Sequence, residues 1–204
     1  MLFIDVDDTD QIRSRYNGVL GLSPGSSTIQ TSYTKRESNS YLDRLYESNL
    51  IDKKLFSMYL SDNRDPKDQS MITFGDYDVN RFAPNTNVTW NPVTDKTFWT
   101  LKLRKATIGD TMVVTSTKDA IIDSGTSYMA MPVSDLLSLV DMLYEVHGFK
   151  CSYDENIKLY YCDCEDLEVY KNKFPSLKVT LSETNTYEIP AKDFTQRTNN
   201  RCKL

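Results

Sequence analysis

One stretch concentrates groups that could do chemistry: Ala120-Ile121-Ile122-Asp123-Ser124-Gly125-Thr126-Ser127. An apolar run that reads as a buried strand leads straight into an aspartate, and hydroxyls follow at 124, 126 and 127. Gly125 permits a backbone path that a side chain would obstruct. Donors at Ser124, Thr126 and Ser127 favour the ionised carboxylate over the protonated one, so Asp123 is set up as an oriented anion. Such a group can take a proton from water or share one with a second acid. An Asp-Ser-Gly triplet by itself says little, because strand-end turns with an Asx-type bond use the same residues. A serine or cysteine nucleophile with a histidine base has less support. The chain's one histidine, His147, follows a helical stripe, and nothing ties it to a nucleophile.

The elements that must position Asp123 read mostly as short strands. Apolar or alternating runs at 19–22, 55–60, 71–74, 88–90, 98–103, 112–114, 120–122, 177–181 and 187–189 are bounded by Gly, Pro, Asn and Asp. After Phe98 the segment 97–104 alternates with a period near two, as a half-buried strand should. Two helices are expected. In one, Leu42, Leu45, Tyr46 and Leu50 recur at helical spacing. In the other, Leu136, Leu137, Val140, Leu143 and Val146 make one face, Ser134 caps the start and Gly148 suits the end. The polar stretches 25–39 and 61–70 read as loops. The expected fold class is mainly β, with two or three helices.

Composition narrows the function classes. Of 204 residues 39% are hydrophobic, and 13 Tyr, 8 Phe and 2 Trp make the chain too aromatic for disorder. A net charge of −5 with scattered basic residues argues against nucleic acid as a partner. No apolar run reaches the length of a membrane span. The four cysteines, Cys151, Cys162, Cys164 and Cys202, all lie in the last part of the chain. Cys162-Asp163-Cys164 is not the CxxC pair of a zinc ribbon, and one histidine leaves a Cys/His metal site little to build with. Two disulfides, and hence an oxidising compartment, fit better. Cys151–Cys162 and Cys164–Cys202 are the preferred pairs, although pattern alone leaves three pairings open. Asn87-Val88-Thr89 is an N-glycosylation sequon. The first residues, MLFIDVDDTD, do not form a signal peptide. Secretory-type cysteines without one lead to the expectation that the true N-terminus lies outside this sequence.

The Asp123 stretch resembles the second active-site motif of pepsin-like aspartic endopeptidases, apolar-apolar-Asp-Ser/Thr-Gly-Thr, and its flanks match in the family's order. Tyr16-Asn17-Gly18-Val19-Leu20-Gly21-Leu22 is similar to the segment FDGILGL, and Leu55-Phe56-Ser57-Met58-Tyr59-Leu60-Ser61 to LFSVYLS. The run from Ile72 through Gly75 to Asp78 resembles the family's glycine turn. Trp90-Asn91-Pro92-Val93, Phe98-Trp99-Thr100-Leu101 and Ile108-Gly109-Asp110 follow in register, and the run from Cys164 through Phe174-Pro175 to Cys202 resembles a disulfide-closed loop. The resemblance covers the chain from about Tyr16 onward. It implies a pepsin-like acid protease fold, incomplete, with 1–83 as the end of the N-terminal lobe and inter-lobe segment. Residues 84–204 would be the C-terminal lobe, lacking its last strands.

The resemblance also implies roles. Asp123 would be the second catalytic aspartate, Thr126 would donate to its carboxylate, Ser124 would join a hydroxyl–backbone lattice between the lobes, and Ser127 would line the substrate cleft. Two carboxylates would share one proton and a water, one removing the water's proton while the other polarises the scissile carbonyl, and this mechanism would need no metal or organic cofactor. The substrate would be a polypeptide, and the compartment lysosome- or vacuole-like, or secreted. No Asp-Thr-Gly stands upstream, and Asp8-Thr9-Asp10 lacks the glycine. Val19-Leu20-Gly21 would brace the absent first aspartate, while the brace of Asp123 itself is not in the sequence. The parent protein is therefore expected to supply an N-terminal lobe, and the isolated chain to be inactive or nearly so.

Three other readings compete. Leu2-Phe3-Ile4-Asp5-Val6-Asp7-Asp8-Thr9 resembles the first motif of haloacid-dehalogenase-type phosphatases, where Asp5 would attack phosphorus, Asp7 would serve as acid/base and Mg²⁺ would neutralise phosphate. That fold needs alternating strands and helices, and short strands and loops follow Thr9 instead. A second reading is a non-catalytic module that binds extended peptide or another lobe through strand edges. A third is a homodimer that sets two copies of Asp123 across a two-fold axis.

Overall fold

Strand Thr100–Ile108 (β5) is the longest among the described residues and pairs with the strand that leads into Asp123. The computed structural model describes residues 20–24, 29–31, 34–36, 40–61, 67–79, 85–95, 97–113, 117–126, 128–156, 159–164, 170, 173–183, 185–198 and 200–204. They divide between two compact units, Met1–Trp90 with Lys96–Trp99, and Asn91–Asp95 with Thr100–Leu204. Every strand pairing among the described residues is antiparallel. This matches the mainly β expectation and lacks the parallel sheet that the phosphatase reading requires. Asp5 and Asp7 lie outside the described residues.

The first unit contains the hairpin Ile29–Thr31 (β1) and Thr34–Arg36 (β2), the helix Tyr41–Glu47 (α1), and the hairpin Phe56–Tyr59 (β3) and Met71–Phe74 (β4). The β1–β2 hairpin falls within the stretch 25–39 that was expected to be loop. Helix α1 opens with a capping box. The Asp43 N–H donates to Ser40 Oγ at 3.1 Å and the Ser40 N–H to Asp43 Oδ2 at 3.0 Å, satisfying two otherwise orphaned donors. Phe56 and Phe74 face each other across the β3–β4 ladder, with Tyr41 edge-on to Phe74 and Trp99 edge-on to Phe56. Gly75 ends β4 at φ +81°, and a Cβ there would stand 2.9 Å from Ile51 Cβ, so the turn needs glycine twice over.

In the second unit β5 pairs with Leu177–Leu181 (β10) along one edge, and β10 pairs in turn with Asn185–Ile189 (β11). On its other side β5 takes two short partners, Asp119–Ile121 (β7) along its first residues and Thr111–Met112 (β6) along its last. A second sheet runs in the order Gln196–Thr198 (β12), Arg201–Lys203 (β13), Leu159–Asp163 (β9), Cys151–Asp154 (β8). Helix Val133–Glu145 (α2) and the short helix Ala191–Phe194 (α3) complete the unit. Ile108, Val113, Leu139, Leu143, Phe149, Phe174 and Leu177 are buried in one cluster with Cys162, Cys164 and Cys202. Cys151 bridges to Cys162 and Cys164 to Cys202.

Several boundaries differ from expectation. Strand β5 runs on to Ile108, five residues past its expected end at 103, because pairing with β10 continues where the alternation fades. Residues 88–90 and 20–22 form no strand. The second-sheet strands β8, β9, β12 and β13 have no counterpart among the expected ones. Helix α2 starts two residues earlier than a Ser134 cap would allow, with Pro132 at the capping position and no side-chain cap bond. Its buried residues are Asp135, Leu139 and Leu143, while Leu137 and Val146 point outward. No helix among the described residues is long and apolar enough to cross a membrane.

Candidate active site

Pairing with the start of β5 fixes the approach to Asp123. Lys102, Leu101 and Thr100 lie opposite Asp119, Ala120 and Ile121, so the chain leaves β7 and turns immediately. The turn at Ser124 and Gly125 folds its own donors back onto the carboxylate. The Gly125 N–H donates to Asp123 Oδ1 at 2.8 Å, and Thr126 Oγ1 donates to Asp123 Oδ2 at 2.5 Å. Each carboxylate oxygen thus takes one donor from the same turn. A Cβ at position 125 would sit 3.1 Å from Asp123 Oδ1, so any other residue there would press on the carboxylate. The Thr126 hydroxyl first, and the Gly125 amide second, hold the Asp123 carboxyl below the usual carboxylate range.

The surroundings of Asp123 are more open than the sequence implied. The run 120–122 was expected to be a buried strand and the carboxylate the floor of a groove. Ile121 is 54% exposed and Ile122 56% exposed, and Asp123, Ser124, Gly125 and Thr126 are all exposed. The reason is topological. Among the described residues β7 pairs only with β5, and the bonds that orient Asp123 span two and three residues, so they set direction without supplying walls. Of the three expected hydroxyls, Thr126 contacts the carboxylate, Ser124 is solvent-facing, and Ser127 lies outside the described residues.

Two polar contacts made by residues flanking this stretch in sequence escaped sequence reasoning. Asp135, fully buried in the first turn of α2, accepts from Thr117 Oγ1 at 2.8 Å. A carboxylate suits a helix N-terminus, and hydropathy counts such a residue as solvent-facing, which hid it. Lys203 Nζ donates to the Tyr128 hydroxyl at 2.5 Å across 75 residues of sequence, a contact no local pattern could reveal.

An exposed carboxylate with a low pKa is an oriented anion and a weak base. To exchange protons during a reaction it needs a second acid near enough to share one. The sequence holds no second Asp-Ser/Thr-Gly.

Comparison with known proteins places this turn in context. The family model "Eukaryotic aspartyl protease" matches residues 2–204. The chain is 26% identical to cathepsin E-A of Xenopus laevis over 172 residues, covering 84% of this chain and 38% of that protein. It is 27% identical to vacuolar protease A of Arthroderma otae over 188 residues, covering 92% and 41%. Pepsin II-1 of Oryctolagus cuniculus is 25% identical over 188 residues, covering 92% and 43%. The chain thus spans about two fifths of the length of these curated relatives. With almost its whole length matched, the chain belongs to the eukaryotic aspartyl protease family.

Proposed function

We propose that this chain contributes one catalytic carboxylate, Asp123, to an aspartic endopeptidase that cleaves polypeptides with a water activated between two aspartates. The observation that carries the reading is the Asp123 turn itself, which aims one backbone and one hydroxyl donor at a carboxylate, in a chain matched to the family along its length. Thr126 keeps Asp123 ionised and oriented. A second carboxylate, from an N-terminal lobe of the parent protein, would share the proton, since like charges at close range cannot both ionise. Ser124 would join the lattice that couples the two loops, and Ser127 would line the cleft. In this reading the first unit is the end of the N-terminal lobe and the second is the C-terminal lobe.

Two disulfides, and relatives whose names include vacuolar protease A and cathepsin E-A, support an acidic vacuolar, lysosomal or secreted location. The exposed Asn87 is then a glycan acceptor.

The 204-residue chain alone is expected to have little or no activity. The test is acid proteolysis of a denatured protein substrate, with and without pepstatin, by this chain and by a longer product that includes an upstream Asp-Thr-Gly. The longer form should cleave, pepstatin should block it, and Asp123→Ala should abolish it. Pepstatin-sensitive cleavage by the short chain would overturn its expected inactivity, and an active Asp123→Ala enzyme would refute the assignment of Asp123. A second reading, peptide binding without cleavage, is favoured by β7, which among the described residues pairs along one edge and could take an extended strand on the other. Retained peptide affinity with no turnover in the longer form would support it.

A further inference from the structure

Lys203 belongs to the second sheet, yet its side chain contacts Tyr128, two residues past Thr126 in sequence. Its position is fixed on three sides. Cys202, fully buried, is bridged to Cys164, and Lys203 lies opposite Tyr161 of β9 and Gln196 of β12. That register carries the ammonium to Tyr128, two residues past Thr126. Nζ donates to the Tyr128 hydroxyl and stands 4.7 Å from the centre of its ring. Two residues earlier on the same side of β13, the Arg201 guanidinium stands 5.9 Å from the centre of the Tyr161 ring. Lys203 and Arg201 thus each stand over a tyrosine ring, and one of those rings, Tyr128, follows the candidate catalytic turn in sequence.

Lys203 has donors to spare. An ammonium carries three N–H groups, and the Tyr128 hydroxyl takes one. Among the described residues no carboxylate pairs with it, although the chain as a whole is acidic. The Tyr128 hydroxyl raises the pKa of Lys203, so the charge persists wherever the protease would work. The side chain is half-buried and anchored at its tip, which lowers the entropy a ligand must remove to use it.

We propose that Lys203, braced by Tyr128, is a specificity-determining residue that favours an acidic side chain in a polypeptide bound beside Asp123. The inference rests on the reading of Asp123 as a substrate-facing carboxylate. Side chains of an extended peptide alternate in direction, so only every second one can reach the Tyr128 ring. A glutamate or aspartate there would accept the remaining Lys203 donors in a charge-assisted bond. A glutamine of the same shape would lack the charge.

The test is fluorescence polarisation with short extended peptides in which a single glutamate is stepped through the sequence, each matched by a glutamine peptide. Binding to the 204-residue chain is measured at about pH 6, above the ordinary glutamate pKa of about 4.3. One position should show glutamate binding about two- to fivefold tighter than glutamine, a gap that added salt closes. Lys203→Met should reduce that ratio to about one, and Lys203→Arg should keep most of it. Should Lys203→Met fail to fold by near-UV circular dichroism, Tyr128→Phe serves instead, since it keeps the ring, frees the ammonium tip and should shrink the ratio. Peptides that bind with no glutamate preference at any position, or a preference that survives both Lys203→Met and Tyr128→Phe, overturn the proposal and leave the cleft reading standing. A folded chain that binds none of the peptides overturns the cleft reading, and the proposal with it.

Discussion

The two compact units differ most in what they bury. Among the described residues, every buried apolar side chain, from Leu103 to Cys202, lies in the second unit. Helix α1 buries none of its residues, and the β3–β4 hairpin leaves the directly opposed pair Met58 and Ile72 39% and 44% exposed. The first unit is held by local devices: a capping box, aromatic edges, a glycine turn and the Trp99 indole N–H on the Leu22 carbonyl at 2.7 Å. The second has a closed core cross-linked by two disulfides. Secondary structure that forms without burying a core contributes little cooperative stability, so the second unit should dominate unfolding.

The comparison can be broken at its strongest point first. The Cys164–Cys202 bridge closes a loop of 38 residues' separation. Replacing both with serine should cost the second unit about 4 kcal/mol by chain entropy alone, read as a lower urea midpoint. Next, Leu143→Ala opens a cavity in the fully buried core and should cost about 3 kcal/mol. The matched change in the first unit, Met58→Ala, should cost under about 0.5 kcal/mol. If Met58→Ala proved as damaging as Leu143→Ala, the contrast between the units would be wrong.

A subtler effect separates the Asp123 turn from the core beneath it. Thr126→Val removes the largest cause of the low Asp123 pKa, so that pKa should rise toward the ordinary value of about 3.9. Because the folded pKa is depressed, the preference for the folded, ionised form is present above the ordinary carboxylate range. It is lost as pH falls through the folded value. Wild type and variant should therefore differ in folding stability at neutral pH and converge in strong acid, as urea unfolding at the two pH values would record, while a carboxyl-carbon NMR titration should show the raised midpoint. An unchanged Asp123 titration would mean that the hydroxyl contact does not persist in solution.

What was legible in the sequence follows the range of the interactions. Asp123, Gly125 and Thr126 could be read as one unit because their hydrogen bonds span two and three residues. Strands β4 and β10 fall on the expected residues because apolar runs there stop at turn formers. Strands β12 and β13 carry Gln196, Arg197 and Thr198, then Arg201, Cys202 and Lys203, too short and polar to show a period. Their positions come from register and from a covalent bridge. The expected face of helix α2 holds at Leu136 and Leu143 but misses Asp135 and Leu139 for a related reason. Asp135 counts as polar, yet it is the residue most completely buried in the first turn. The openness of the Asp123 turn was likewise illegible, since an apolar run does not say how many of its sides are covered.

The register of the second sheet sets Cys162 directly between Cys151 and Cys202, three thiols abreast on adjacent strands. Reduced chains that have already found this sheet can therefore join Cys162 to either neighbour with little movement. One choice gives the native pair, and the other strands Cys151 and Cys164. Refolding in air without a thiol shuffling agent should trap a share of that wrong isomer, visible as a Cys162–Cys202 linked peptide by mass mapping, and a glutathione buffer should clear it. A cell that makes this protein would then depend on an isomerase as much as on an oxidant.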